Sequence, residues 1–240
     1  MNTELRFIEK LEKNCAAHPD DAALIAADTG KSMTYAELWE CSGRVYRFLR
    51  QKCIGKENAV MIALPRGTDP VVTLIGIWRA GAAAVMLEAD YPPERTEYIR
   101  RDADCVLKID EELFSEIMAD GALEGYEETA LHDLAYLIYT SGSTGMPKGV
   151  MQEYGTLEMC VRLHYCGERP VIDGRFALIA PLYYVVSMLV IPPLLYNAQT
   201  LCVIPKSIVK DPDRLPACIE ALQLTNLFIV PSMLKHLKRI

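Results

Sequence analysis

The chain has 240 residues, 51% hydrophobic and 24% charged, with a formal charge of −7, which is enough apolar material for a full core and excludes a disordered chain. The acidic balance, with no basic cluster outside Lys235 to Arg239, argues against nucleic acid as a partner. Eight cysteines without a CxxC pair read as reduced, partly buried thiols, which predicts a cytoplasmic protein rather than a disulfide scaffold.

Near the start, Leu5, Ile8 and Leu11 share one helical face, and Glu4, Arg6, Glu9 and Lys10 interrupt any apolar signal segment. Strands are expected at 22–27 and 33–34 around an Asp-Thr-Gly-Lys turn. Thr34 then reads as an N-cap, with Glu37 at the capping-box position of a helix running to about residue 52. From there the pattern alternates: strand 59–64, helix 69–79, strand 83–87, helix 93–101, strand 105–109, helix 111–118. Residues 121–133 are acidic and turn-rich, as a flexible loop or a boundary would be. Alternation resumes with strand 134–139, helix 155–164, strand 176–180, helix 185–195, strand 201–204, helix 211–222, strand 227–230 and helix 231–239. This order predicts an α/β protein of mostly parallel sheets covered by helices, in two subdomains at 1–125 and 126–240. The uncharged run 176–196 is long enough to span a bilayer, but Pro181, Pro192 and Pro193 interrupt it and basic flanks are missing, so it is expected to be buried and not in a membrane.

The most informative stretch is LAYLIYTSGSTGMPKGV at 134–150. An apolar strand breaks into alternating hydroxyl residues and glycines, followed by Pro147 and Lys148. Glycines let backbone N–H groups approach an anion, hydroxyls add donors, and a lysine adds charge, so the pattern suits phosphate. It is not a Walker A loop, because Lys148 precedes Gly149 and no hydroxyl residue follows. A plain Ser/Gly surface turn accounts for the glycines but not for the ordered hydroxyls with Pro-Lys-Gly behind them. Cys160, His164 and Cys166 match no common metal-ligand spacing, so no metal site is expected in the chain.

The 134–150 run resembles the signature of the adenylate-forming superfamily, which comprises acyl- and aryl-CoA synthetases, luciferases and nonribosomal peptide synthetase adenylation domains. Met33 to Leu38 (MTYAEL) and the pair Trp78 to Val85 and Asp90 to Arg95 are similar to two earlier motifs of that family, in the same order. The resemblance implies an ATP- and Mg²⁺-dependent ligase that joins a carboxylic acid to AMP and passes the acyl group to a carrier-protein or CoA thiol. It assigns pyrophosphate holding to Thr140, Ser141, Gly142, Ser143, Thr144, Gly145 and Lys148, although Lys148 also reads as an ordinary exposed lysine. Tyr184 falls where amino-acid-activating members carry an aspartate that pairs with the substrate ammonium, which points equally to an uncharged aryl or acyl acid. Tyr183 and Tyr184 are either pocket residues or core aromatics with satisfied hydroxyls. Tyr154 stands where many relatives have histidine.

The family's Mg²⁺-binding Thr-Glu pair, ribose-binding aspartate and catalytic lysine have no match in these 240 residues, so no catalytic residue is assigned. The expectation is an N-terminal portion of the enzyme, a piece of a longer chain or a short natural protein, inactive alone. The competing expectation is a non-catalytic binding or scaffold module that keeps the fold. Apolar surface around 185–195 and 227–230 is expected to be exposed and to favour homo-oligomers.

Overall fold

The computed structural model describes residues 6–87, 90–141, 146–163 and 174–229, without the side chains of Ser141 and Leu163. In chain order the helices are α1 (Phe7–Ala17), α2 (Tyr35–Gln51), α3 (Asp69–Arg79), α4 (Pro93–Asp102), α5 (Glu111–Met118), α6 (Tyr154–Leu163), α7 (Val185–Tyr196), α8 (Lys206–Val209) and α9 (Arg214–Ala221). The strands are β1 (Ala22–Ala26), β2 (Ser32–Thr34), β3 (Ala59–Ile62), β4 (Ala83–Met86), β5 (Cys105–Ile109), β6 (Leu134–Ser141), β7 (Pro147–Glu153), β8 (Arg175–Leu178), β9 (Thr200–Val203) and β10 (Asn226–Leu227).

Local chemistry sets the helix starts. The Thr34 hydroxyl accepts from the Glu37 N–H at 3.2 Å while the Glu37 carboxylate accepts from the Thr34 N–H at 2.8 Å, a closed capping box that opens α2. Pro70 and Pro93 begin α3 and α4, where a missing N–H costs nothing. Asp110 caps α5 by accepting from Leu113 N–H. Helices α2 and α3 approach closely at Gly76, where an added Cβ would lie 2.5 Å from the Val45 Cβ, so alanine there costs about 1–3 kcal/mol of overpacking.

The strands form two five-stranded sheets, β10-β8-β9-β1-β2 and β5-β3-β4-β6-β7. All pairings are parallel except β1 with β2 and β6 with β7. Side-chain alternation produces the layers. Val60, Ile62, Ala84, Met86, Tyr136 and Ile138 face a central core shared with α1, α2, α3, α6 and α7. Met61, Val85, Leu137 and Tyr139 face the opposite side, where Ile99 of α4 packs. Ala177, Ile179, Cys202 and Ile204 meet Ile208, Leu215 and Cys218 of α8 and α9 outside the other sheet. Helices therefore lie between and outside two mostly parallel sheets, as the alternation predicted.

Each sheet draws strands from both sides of residue 125, so the expected segments 1–125 and 126–240 do not each own a sheet. The segment 121–133, expected as a flexible loop or boundary, is held down. Arg79, fully buried, donates from its guanidinium to the carbonyls of Leu123 and Gly125 at 2.9 and 3.0 Å, and Trp39 Nε1 donates to Glu124 at 2.9 Å. The stretch expected to be exposed around 185–195 is instead largely covered: from Ser187 to Leu195 all but one residue of α7 are buried, and α7 packs against α6 and α1. Pro192 and Pro193 lie inside that helix rather than ending it, and no described helix is long and apolar enough to cross a membrane. The expected helix 231–239 falls outside the described residues.

Candidate functional site

The stretch expected to hold an anion sits on a hairpin that sequence reasoning read only in part. β6 leads in as expected, but Pro147–Glu153 returns as an antiparallel strand, with Thr140 paired to Lys148, Tyr139 to Gly149 and Ser141 to Pro147. Alternation puts Thr140 and Lys148 on one face and Tyr139 and Pro147 on the other. Thr140 and Lys148 are exposed, whereas Tyr139 and Pro147 are buried. Gly142, Ser143, Thr144 and Gly145, together with the side chain of Ser141, lie outside the described residues. Two of the seven assigned phosphate ligands, Thr140 and Lys148, are thus brought side by side.

The hairpin opens at the carboxyl edge of its sheet. β4 and β6 run parallel with Ala84 opposite Tyr136, and continuing that register sets Ile138 level with Met86 and Thr140 just beyond it, on the same face. Met86 lines a cleft of about 650 Å³ that lies outside the carboxyl ends of β3, β4, β8, β9 and β10, the usual ligand position in parallel α/β sheets. Its walls come from both sheets: Ile62, Leu64, Met86 and Leu87 on one side, Ile179 to Tyr184, Pro205 and Phe228 on the other. Arg66 ties the sides together at the base, donating to the carbonyls of Leu178 and Ala180, each at 3.0 Å. Among the described lining residues the polar ones are Ser207, the tyrosines Tyr183 and Tyr184, and the charged Arg66, Asp90, Lys206 and Lys210; the rest are apolar. Among the described lining residues three cations stand against one carboxylate, a local balance that favours an anionic ligand in a protein of net charge −7.

Tyr183 and Tyr184 both line the cleft. Tyr184 is 54% exposed, and the Tyr183 ring lies 4.9 Å from it in a T-shaped pair and 5.7 Å from Tyr91. Tyr183 is half-buried and also packs against the central core, whereas Tyr184 is exposed at the cleft. Asp90 and Lys206 form an ion pair of 3.1 Å between the end of β4 and the start of α8. Both are substantially exposed, so the pair is worth little in stability and matters through its position across the cleft. Arg66 and Lys206 carried no sequence signal for this role, since they stand far apart in the chain and only the fold brings both to the cleft; Tyr91, inside the Asp90 to Arg95 motif, touches the lining residue Tyr183.

Tyr154 is a core residue. Its hydroxyl donates toward the carbonyls of Trp78 and Ala82 at 3.3 and 3.2 Å, and complete burial pushes the phenol well above its ordinary pKa. It holds α6 against α3 and offers no titratable group to the cleft. Among the described residues no group of three or more His, Cys, Asp or Glu side chains could hold a metal ion. Cys160 is buried, and His164 and Cys166 lie outside the described residues.

Comparison with known proteins gives the family and the fold. Residues 11–239 match the family model described as AMP-binding enzyme. The chain is 32% identical over 251 residues to tyrocidine synthase 3 of Brevibacillus parabrevis, covering 95% of this chain and 4% of that protein. It is 33% identical over 232 residues to the probable non-canonical nonribosomal peptide synthetase CymA of Salinispora arenicola (strain CNS-205), covering 95% and 3%. It thus spans only a few per cent of the length of these curated relatives. In fold, it resembles the inhibitor-bound N-terminal domain of FACL13 from Mycobacterium tuberculosis, with a TM-score of 0.86 at 18% identity over 99% of this chain and 66% of that one. The Klebsiella oxytoca NpsA N-terminal subdomain in complex with 3-hydroxybenzoyl-AMSN gives 0.81 at 21% identity, over 92% and 59%. With a family model matched over nearly its whole length, the chain belongs to the AMP-binding enzymes, the adenylate-forming ligases.

Proposed function

We propose that the cleft takes a carboxylic acid with an aromatic or acyl body, and that the hairpin holds the β and γ phosphates of ATP beside it. The observation that carries this reading is the common edge: the Thr140–Lys148 pair and the apolar, positively biased cleft lie at the carboxyl ends of neighbouring parallel strands. Bringing acid and triphosphate together there replaces a bimolecular encounter with a positioned one. In the complete enzyme the carboxylate oxygen attacks the α phosphorus, the bond from that phosphorus to the pyrophosphate oxygen breaks, and acyl-AMP forms. A carrier-protein or CoA thiolate then attacks the acyl carbon and AMP departs.

Within this chain, Lys148 offsets charge on the departing pyrophosphate and the Thr140 hydroxyl donates to it, an electrostatic contribution rather than covalent chemistry. Tyr184 supplies a phenol where an ammonium-pairing carboxylate would stand, so an acid without an α-amino group is favoured over an amino acid.

Calorimetric titration of the 240-residue chain with pyrophosphate and ATP tests the reading. Salt-sensitive binding is expected, weakened about tenfold or more by Lys148→Ala, as for loss of a bond to a charged group. Equal affinity in wild type, Lys148→Ala and Thr140→Ala would remove the hairpin as the phosphate site.

A further inference from the structure

Helix α4 is an unusual element. Its sequence PERTEYIRRD buries only Ile99, so apolar packing contributes little to where it sits. Polar and aromatic ties contribute the rest, and they run in two directions. Tyr98 and Asp102, four residues apart and so on one helical face, both reach the hairpin. The Tyr98 hydroxyl donates to the carbonyl of Pro147 at 3.3 Å, and Asp102 accepts the Tyr139 hydroxyl at 2.7 Å. The Tyr139 ring crosses the hairpin over Gly149, where an added Cβ would lie 2.8 Å from the ring, so the missing side chain leaves the space that the phenol occupies. These contacts grip the hairpin by its buried face, through Tyr139 and Pro147, and leave the opposite face with Thr140 and Lys148 exposed.

The other direction leads to the cleft. Arg95 of α4 places its guanidinium 4.3 Å from the centre of the Tyr91 ring, and Tyr91 in turn meets Tyr183. The adjoining Asp90 pairs with Lys206. A ten-residue helix, about 15 Å long, therefore touches the hairpin along its side and two walls of the cleft through the turn at its start.

We propose that α4 couples the two halves of the site, with Tyr98, Asp102 and Tyr139 as positioning residues that set Thr140 and Lys148 relative to the cleft. An aromatic acid entering between Tyr91 and Tyr183, or drawing Lys206 away from Asp90, shifts the start of α4. The shift reaches Pro147 and Tyr139 through the same rigid helix. Occupancy of the cleft then changes affinity for the phosphate, and by linkage phosphate changes affinity for the acid by the same factor. The inference rests on the proposed function, since it needs the hairpin to bind an anion.

The test is calorimetric titration of the 240-residue chain with pyrophosphate, with and without saturating benzoate. In wild type, benzoate is expected to change pyrophosphate affinity about fivefold or more, the lower end of ordinary coupling between sites. Tyr98→Phe combined with Tyr139→Phe keeps both rings and their volume, so the fold should persist with a melting temperature lowered by only several degrees while the effect of benzoate disappears. Asp102→Asn, which still accepts the Tyr139 hydroxyl, should retain the coupling that Asp102→Ala loses. If pyrophosphate binds and the coupling is the same in the double Phe variant, or if benzoate leaves wild-type affinity unchanged, the coupling is refuted and the proposed phosphate site stands. If wild type binds no pyrophosphate, both fall.

Discussion

Replacing Arg79 by methionine probes how the 121–133 segment is held. Arg79 ends the otherwise apolar helix α3 and is fully buried, with its guanidinium 3.6 Å above the Trp39 ring. It donates to the Trp39 carbonyl and the Ser42 hydroxyl in the interior, and to the Leu123 and Gly125 carbonyls on the segment. Burial pulls its pKa down to about 10, partly opposed by Glu124, so it stays charged at neutral pH. Methionine fills similar volume and removes every bond. The segment carbonyls can turn to water, whereas the two interior acceptors cannot; at about 1.5 kcal/mol for each bond to a charged donor, plus about 1 kcal/mol for the cation over the ring, the loss is about 4 kcal/mol. For a chain of this size that lowers the melting temperature by roughly 10 °C. The freed segment should become cleavable by a glutamate-specific protease at Glu124, Glu127 and Glu128, read by mass spectrometry. Arg79→Lys should fare little better, because an ammonium cannot reach four acceptors in fork geometry. A melting temperature within 2 °C of wild type, with no new cleavage, would refute the account of this anchor.

Gly149→Ala should push the Tyr139 ring aside and cost about 1–3 kcal/mol, seen as a lower denaturant midpoint, together with weaker pyrophosphate binding. Glu158, buried in α6 and accepting the Phe7 N–H that begins α1, has its carboxyl pushed up mainly by desolvation, with Arg6 and Arg162 pulling the other way. The folded state therefore holds this proton more tightly than the unfolded chain, so the contribution is full below the ordinary carboxylate pKa and lost as pH climbs through the raised value. Glu158→Gln, which still accepts from Phe7, should match wild type near pH 4 and exceed it near pH 8 in thermal melts; the reverse order would contradict the assignment. β7 lies at a sheet edge and exposes Val150 and Met151, so sedimentation should show self-association that Met151→Lys reduces.

Much of the fold was legible because local signals agreed with the tertiary outcome. Thr34 with Glu37, the prolines opening α3 and α4, and β-branched runs such as Ala59 to Ile62 each gave the right element within a residue or two. β7 escaped notice because PKGVMQE follows a glycine-rich turn, has a proline at its first position and packs one side against solvent, so neither period stands out. The 206–209 turn of helix was too short for any period. The 121–133 segment looked loose because its own residues are acidic and small. The signal lay elsewhere, in an arginine at the end of an apolar helix that had to find acceptors. Sheet membership could not be read at all, since β1 pairs with β9 across nearly the whole chain. The hairpin end of the candidate site was legible as a motif, and Tyr183 and Tyr184 as pocket candidates; Arg66, Asp90 and Lys206 were not, because they join that lining only once both sheets are in place.

The central claim is that phosphate and acid bind at one edge, on the Thr140–Lys148 face and in the adjoining cleft. Amide chemical-shift mapping of the 240-residue chain with pyrophosphate and then benzoate tests it most directly. The account predicts that pyrophosphate moves the amides of Thr140, Lys148 and Gly149, and that benzoate moves those of Tyr91, Tyr183, Tyr184 and Lys206. Shifts from either probe confined to other surfaces, with these amides unmoved, would contradict it.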